Sequence, residues 1–178
     1  MDLKKEIGNN QMILIIIPNE KYTEAILEIA KQLSNGYKKI CYVSLNKLYN
    51  ALTKSLESNN IEVKKFCFVD GVTKTAEPNV KSDGNVKYIS SPSALTQLSV
   101  MVIADCKENK PECVLFDSLS TLLIYQKGEV VTQFIHSLTG KIRTFGCVGI
   151  FTALEGDTDS DLIKEMGMFV DKVIHFKG

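Results

Sequence analysis

Apolar residues along the chain fall into two alternating patterns. Short runs, apolar at consecutive positions, recur at residues 12–17 (MILIII), 39–44 (KICYVS), 65–69 (KFCFV), 113–117 (CVLFD), 147–151 (CVGIF) and 172–176 (KVIHF). Such runs suit strands that are covered on both faces, as in a parallel sheet. Between them the spacing changes to that of a helix. Ala25, Ile26, Ile29, Ala30 and Leu33 fall on one helical face, and so do Leu45, Leu48, Leu52 and Leu56. Leu95, Leu98, Val102 and Ile103 make a third stripe, and Val131, Phe134, Ile135, Leu138 and Ile142 a fourth. Asn35-Gly36 marks the end of the first of these helices, and Gly146 precedes the fifth strand. Repeated strand–helix–strand units imply right-handed crossovers, and therefore a three-layer α/β/α sandwich around a mainly parallel sheet. The stretch Gly71 to Asn85 has no clear period; with Pro78 and an Asp83-Gly84 turn signal it reads as an exposed, mobile loop, followed by a short strand over Val86 to Ser90.

Length and charge narrow the class. A chain of 178 residues is expected to form a single domain over 1–178, and one this size buries roughly 70% of its unfolded surface without a disulfide or metal staple. Lys plus Arg number 21 and Asp plus Glu number 21, a balance that argues against nucleic acid or an anionic membrane as the main partner. No apolar run is long enough to span a bilayer, and the N-terminal MDLKKEIGNN lacks the apolar core of a signal peptide, so a cytoplasmic location is expected. The five cysteines (Cys41, Cys67, Cys106, Cys113 and Cys147) include no C-x-x-C pair. They read as buried thiols acting as small hydrophobes in a reducing compartment.

The turn after the first strand reads Pro18-Asn19-Glu20-Lys21-Tyr22-Thr23 and contains no glycine. Three other segments have a recognisable form. Lys39 to Leu45 (KICYVSL) resembles the second core strand of the KaiC/RadA group of RecA-like P-loop ATPases. Cys113 to Leu123 (CVLFDSLSTLL) resembles their Walker B strand and the turn after it. Gly146 to Thr152, an acidic loop, and Val170 to Ile174 resemble their sensor strand and last core strand. In order and spacing the likeness spans nearly the whole chain. It implies a P-loop NTPase fold and, by the same resemblance, an archaeal source.

The chemistry of that family does not carry over to the turn. A phosphate-cradling loop has eight residues, with Gly first and sixth, Lys seventh and Ser or Thr eighth. With Thr23 in the eighth place, Ile16 and Lys21 replace the glycines and Tyr22 the lysine. With Lys21 in the seventh, Ile15 and Glu20 replace the glycines. A side chain at a glycine position blocks the backbone approach that an anion needs. Asn19 is expected to cap the helix, while Glu20 and Glu24 put negative charge at its N-terminus. The places after the second strand that hold a water-activating acid in the resembled family hold Asn46 and Lys47, neither of which can take a proton from water. Asp117 remains, in the position that would hold magnesium through water. With no phosphate to share the ion it reads as a buried strand end accepting hydrogen bonds from hydroxyls such as Ser118 or Ser44.

No catalytic residue and no metal site is therefore expected. Lys21, Thr23, Asp117 and Ser118 stand as a vestigial cofactor site. The resemblance points to a non-catalytic protein that binds a protein partner, either a RecA/KaiC-like ATPase that it regulates or scaffolds or a second copy of itself, with no cofactor. The alternative is a nucleotide or small-ligand binder, with residual Mg-ATP binding, that uses the carboxyl rim of the sheet at Asn19, Lys21, Ser44, Asn46, Asp117, Ser118 and Thr152. Lys74 and Lys81 in the 71–85 loop keep open a weaker reading, association with DNA. The acidic run Glu155, Asp157, Asp159 and Asp161 does not fit a calcium loop and is expected to be a solvated loop, with residues 157–160 starting a helix. His175 reads as a packed or edge residue, His136 sits in a helix beside Phe134 and Ile135 with no serine, cysteine and acid constellation around it, and Met166, Met168 and Phe169 read as core or interface.

Overall fold

The computed structural model describes residues 2–8, 10–157 and 161–177. In chain order the elements are α1 (Leu3–Ile7), β1 (Met12–Ile17), α2 (Tyr22–Gly36), β2 (Ile40–Ser44), α3 (Tyr49–Ser58), β3 (Phe66–Asp70), α4 (Thr73–Ala76), β4 (Val86–Tyr88), α5 (Leu95–Glu108), β5 (Cys113–Asp117), α6 (Leu119–Tyr125), α7 (Gly128–Thr144), β6 (Val148–Leu154), α8 (Asp161–Met166) and β7 (Lys172–His175). The strands form one seven-stranded sheet in the order β4-β3-β2-β5-β6-β1-β7, and every pairing is parallel. The six runs seen in the sequence are six of these strands, and the short strand after the 71–85 loop is the edge strand β4.

Alternation within β1 shows how the layers are built. Met12, Leu14 and Ile16 pack on one face with Leu98 and Val102 of α5, Ile135 and Leu138 of α7, and Leu162 of α8. Ile13, Ile15 and Ile17 pack on the other with Ala25 and Ile29 of α2, Leu52 and Leu56 of α3, and Leu3 of α1. All six β1 residues are buried, which is why the strand reads as a continuous apolar run. The crossover from β1 to β2 skips two strands, leaving room for β5 and β6 to insert between them. Next to β1 the packing over Gly149 is tight: a Cβ there would lie 2.6 Å from the Met12 sulfur and 3.1 Å from the Phe151 ring, so the Met12 side chain would have to shift.

Several local expectations need correction. Leu45 belongs to the α5/α7 face of the core and Leu48 is exposed, so the buried stripe of α3 is Leu52 and Leu56 alone. The 71–85 segment is not a bare loop. Buried Asp70 accepts hydrogen bonds from Val72 N (2.6 Å), Thr73 N (2.7 Å) and Thr73 Oγ1 (2.6 Å), and α4 follows. Asn19 does not cap α2. A single 3₁₀ turn, Asn19–Lys21, comes first, and Lys21 sits at the cap without a side-chain hydrogen bond. Of the acidic run, Glu155 and Asp157 lie in a 3₁₀ turn and Asp161 begins α8. Residues 158–160, where that helix was expected to start, lie outside the described residues.

Candidate functional site

The carboxyl ends of β1, β2, β5 and β6 meet at one rim of the sheet, where an open α/β fold binds its ligands. Asp117, the last residue of β5, is fully buried beneath that rim. The Tyr22 hydroxyl, from the first turn of α2, donates to Asp117 Oδ1. The Tyr42 hydroxyl, from the middle of β2, donates to Asp117 Oδ2 at 2.7 Å. Asn46 Nδ2, just beyond β2, donates to the Tyr22 oxygen at 2.6 Å. Both carboxylate oxygens are thus taken by phenols, and one of the phenols is held in turn by an amide.

Electrostatics agree with the geometry. Burial raises the Asp117 pKa, and the hydrogen bonds from Tyr22 and Tyr42 and the charge of Lys47 offset only part of that rise. Burial, and then the negative charge of Asp117, push the Tyr22 and Tyr42 hydroxyls far above the usual phenol range, so both remain donors.

Two backbone donors of the turn leading into α2 are used within the turn. Lys21 N–H donates to the Pro18 carbonyl at 3.0 Å, and Tyr22 N–H donates to the Asn19 carbonyl. The Asn19 side chain turns the other way and accepts from Gly156 N at 3.2 Å, tying the turn to the end of β6. Glu20 and Glu24 are exposed. The turn is therefore closed by the 3₁₀ hydrogen bonds and the bulk of Tyr22, and not by inward-pointing carboxylates.

Beside Tyr22 lies a cavity of about 550 Å³, lined by Asn19, Tyr22, Asn46, Ser118, Ser120 and Thr121, with Leu123, Ile124 and Leu154 on its apolar side. Much of its polar capacity is used internally. Ser120 Oγ accepts from Leu154 N at 2.8 Å, and the Ser118 and Thr121 hydroxyls are 3.2 Å apart. Of the four expected cofactor-site residues, Ser118 lines the cavity and Asp117 lies under Tyr22. Lys21 is half-buried and Thr23 exposed, and neither is among the lining residues. Asn19 and Asn46 reach the cavity from the wider rim set. Ser44 and Thr152 do not, because their buried hydroxyls donate to the Lys47 carbonyl (2.9 Å) and the Phe116 carbonyl (3.2 Å). The hydroxyl partners of Asp117 are two tyrosines rather than Ser44 and Ser118.

These residues do not fit Mg-ATP. A magnesium ion would need an oxygen of Asp117 that is already hydrogen-bonded, and a phosphate would find the Lys21 and Tyr22 backbone donors engaged within the 3₁₀ turn. Among the described residues no group of three or more His, Cys, Asp or Glu is arranged to hold a metal ion. His136 packs its ring against Phe169 with centroids 4.7 Å apart, and His175 is exposed on the edge strand β7.

Tyr22 and Tyr42 are the site residues that the sequence did not reveal as such. One signal was present: Tyr22 falls in the lysine place of the loop when Thr23 takes the last place.

The sequence profile of a family of unknown function, DUF7504, matches residues 39–176. The chain belongs to this family. The matched region of the DUF7504 chain runs from the residue before β2 to the residue after β7, and so contains Tyr42, Asn46 and Asp117. No curated protein sequence matches the chain. Among solved structures, it is similar to the crystal structure of a KaiC-like protein from the hyperthermophilic archaeon Pyrococcus horikoshii OT3. The TM-score is 0.65 at 15% identity, covering 93% of this chain and 70% of that one. At that identity the likeness concerns the fold. This DUF7504 chain has the RecA-like fold of the P-loop NTPases, with an all-parallel sheet and helices on both faces. No helix among the described residues is long and apolar enough to cross a membrane.

Proposed function

We propose that the chain is a non-catalytic, KaiC-like protein of the RecA fold that acts by associating with another protein, scaffolding or regulating an active ATPase relative in the cytoplasm. One observation carries this reading: Tyr22 hydrogen-bonds to Asp117 and so occupies the space where phosphate and magnesium meet in a working member of the fold. Asn46, in the place of the activating acid, supports it by bonding the Tyr22 oxygen at 2.6 Å rather than facing a water. The core around the site is intact, which is what a domain kept for its surface requires. No step of ATP hydrolysis is assigned to these residues. Titration calorimetry with Mg-ATP tests the reading, and the expected result is no saturable heat. Saturable binding that Asp117→Ala abolishes would overturn it.

A second reading rests on the rim cavity of about 550 Å³, large enough for a small polar ligand contacted by Asn19, Asn46 and Ser118. A thermal-shift screen of nucleotides and metabolites separates the two. A saturable shift that is lost in Asn46→Ala favours ligand binding, and no shift favours the partner.

A further inference from the structure

The two edges of the sheet are finished differently. At one edge, β4 is covered by the chain that precedes it. Val86 N–H donates to Asp83 Oδ1 at 3.2 Å, the Val86 carbonyl accepts from Asp83 N–H at 3.1 Å, and Tyr88 N–H donates to Ser82 Oγ at 3.1 Å. The other edge is β7, and one bond fixes which of its groups face β1: Phe176 N–H donates to the Ile16 carbonyl at 2.8 Å. With Ile16 in register with His175, the ladder to β1 uses the backbone groups of Lys172, Ile174 and Phe176. The N–H and C=O groups of Val173 and His175 therefore point out of the sheet, and none of them is hydrogen-bonded among the described residues. Both residues are exposed, and a cavity of about 440 Å³ lies beside them, lined by β7 and by Asp2 and Glu6 of α1. The Lys172 ammonium is paired with Glu6 and so turned toward α1 rather than across the edge. An open edge of this kind is a template for another strand.

We propose that β7 pairs with β7 of a second copy of this chain, antiparallel, about a two-fold axis at Ile174. The residues on either side of that axis decide for a second copy. In this register Val173 of one copy lies opposite His175 of the other. Each such pair exchanges both of its N–H···O bonds, and so uses the groups that point out of the sheet. Asp171 lies opposite Lys177, so the segment carries an acid at one end and a base at the other and meets its complement when reversed. Lys172 lies opposite Phe176, and no like charges face each other. An in-register parallel pairing would instead set Lys172 against Lys172 and His175 against His175. The antiparallel pair is closed: it consumes the open edge of both copies, and the covered β4 edges stop further addition. A strand of 4 residues buries little surface, so the dimer is expected to exchange reversibly with monomer. The pairing does not depend on what the rim binds.

Sedimentation velocity over a dilution series of the full chain tests this. The expected result is a dimer that shifts to monomer on dilution. Val173→Pro removes an outward N–H without taking a hydrogen bond from the β1 ladder, which an edge strand tolerates. It is expected to abolish the dimer while the thermal melt stays close to wild type. In Ile174→Cys the two introduced thiols meet at a non-hydrogen-bonded antiparallel pair, with Cα atoms about 4.5 Å apart. Mild oxidation with copper phenanthroline is expected to give a covalent dimer on a non-reducing gel. Lys64→Cys, at an exposed position away from β7, is expected to give none. A chain that stays monomeric at every concentration would overturn the proposal, and so would a dimer that survives in folded Val173→Pro. If that variant does not fold, the absence of a covalent dimer in Ile174→Cys overturns it instead. A monomer whose Val173 and His175 amides are protected from hydrogen exchange only when a different protein is added would assign the edge to a foreign strand, and would also overturn it.

Discussion

The Tyr22 hydroxyl donates to the carboxylate of Asp117, 95 residues further along the chain. This bond joins the first turn of α2 to the last residue of β5 across the rim where an active member of this fold would bind nucleotide. It closes the rim sterically, with a ring in place of a bare backbone loop, and electrostatically, by engaging an oxygen that a metal ion would need. Tyr42 and Asn46 complete the arrangement at 2.7 and 2.6 Å.

Tyr22→Phe keeps the ring and removes the donor. Asp117 is left with Tyr42 as its phenolic partner and Asn46 loses its acceptor, so a destabilisation of about 1–3 kcal/mol is expected. Urea denaturation at neutral pH measures it. A change within about 0.3 kcal/mol of wild type would mean that the Tyr22–Asp117 bond adds nothing to the folded state.

Asp117→Asn probes the same bond through pH. The folded pKa of Asp117 is raised by burial above 3.8, so the native state holds this proton more tightly than the unfolded chain. Between those two values the unfolded state binds fewer protons, and stability falls as pH rises. The contribution is fully present below 3.8 and is lost as pH climbs through the folded value. Urea midpoints of Asp117→Asn, taken relative to wild type, are therefore expected to improve steadily from acid to neutral pH. A difference that does not vary with pH would show that the carboxyl does not titrate this way.

Asp171 has the opposite sign. Its carboxylate accepts from Gln11 N and Met12 N at 2.8 Å each and from Arg143 at 2.8 Å, fastening the start of β1. The Arg143 hydrogen bond, with help from the two backbone donors, lowers its pKa below 3.8. Such a group adds stability above the unfolded value and loses it as pH falls through the folded one. Asp171→Asn is expected to cost about 1–2 kcal/mol at neutral pH, with solvent screening of the half-exposed pair keeping the figure low. Thermal melts should show the difference shrinking below pH 3.8.

Lys87 and Asp105 form an ion pair at 3.1 Å, with Asp105 completely buried and Asn109 donating to the same oxygen at 2.7 Å. The second oxygen accepts no hydrogen bond among the described residues. Lys87→Met should therefore strand a buried charge and destabilise by about 3 kcal/mol. Adding Asp105→Asn to that variant should recover part of the loss. A double variant no more stable than Lys87→Met would show that the cost lies in packing rather than in the unpaired carboxylate.

Much of the architecture is legible in local patterning because strands buried on both faces must be apolar at every position. Met12–Ile17 and Cys113–Asp117 announce themselves this way, and Val131, Ile135, Leu138 and Ile142 give the buried stripe of α7. The misreadings occur where a side chain's partner is distant in sequence. Leu45 and Leu48 continue the spacing of Leu52 and Leu56, yet they precede α3 and go to different surroundings. Asn19 has the chemistry of a helix cap, but Gly156 takes its oxygen. The partners of Asp117 were expected to be nearby serines, and they are tyrosines from two other elements.

The sequence by itself determined that the chain builds a parallel α/β sandwich and that the turn after its first strand lacks the glycines a phosphate loop requires, because both are properties of contiguous residues. Only the tertiary structure decided which groups surround Asp117 at that rim. Strand order brings the ends of β1, β2 and β5 together, so that Tyr22, Tyr42 and Asn46 converge on one buried carboxylate. Contacts of this kind depend on how the crossovers place distant elements side by side, and no window of neighbouring residues contains that information.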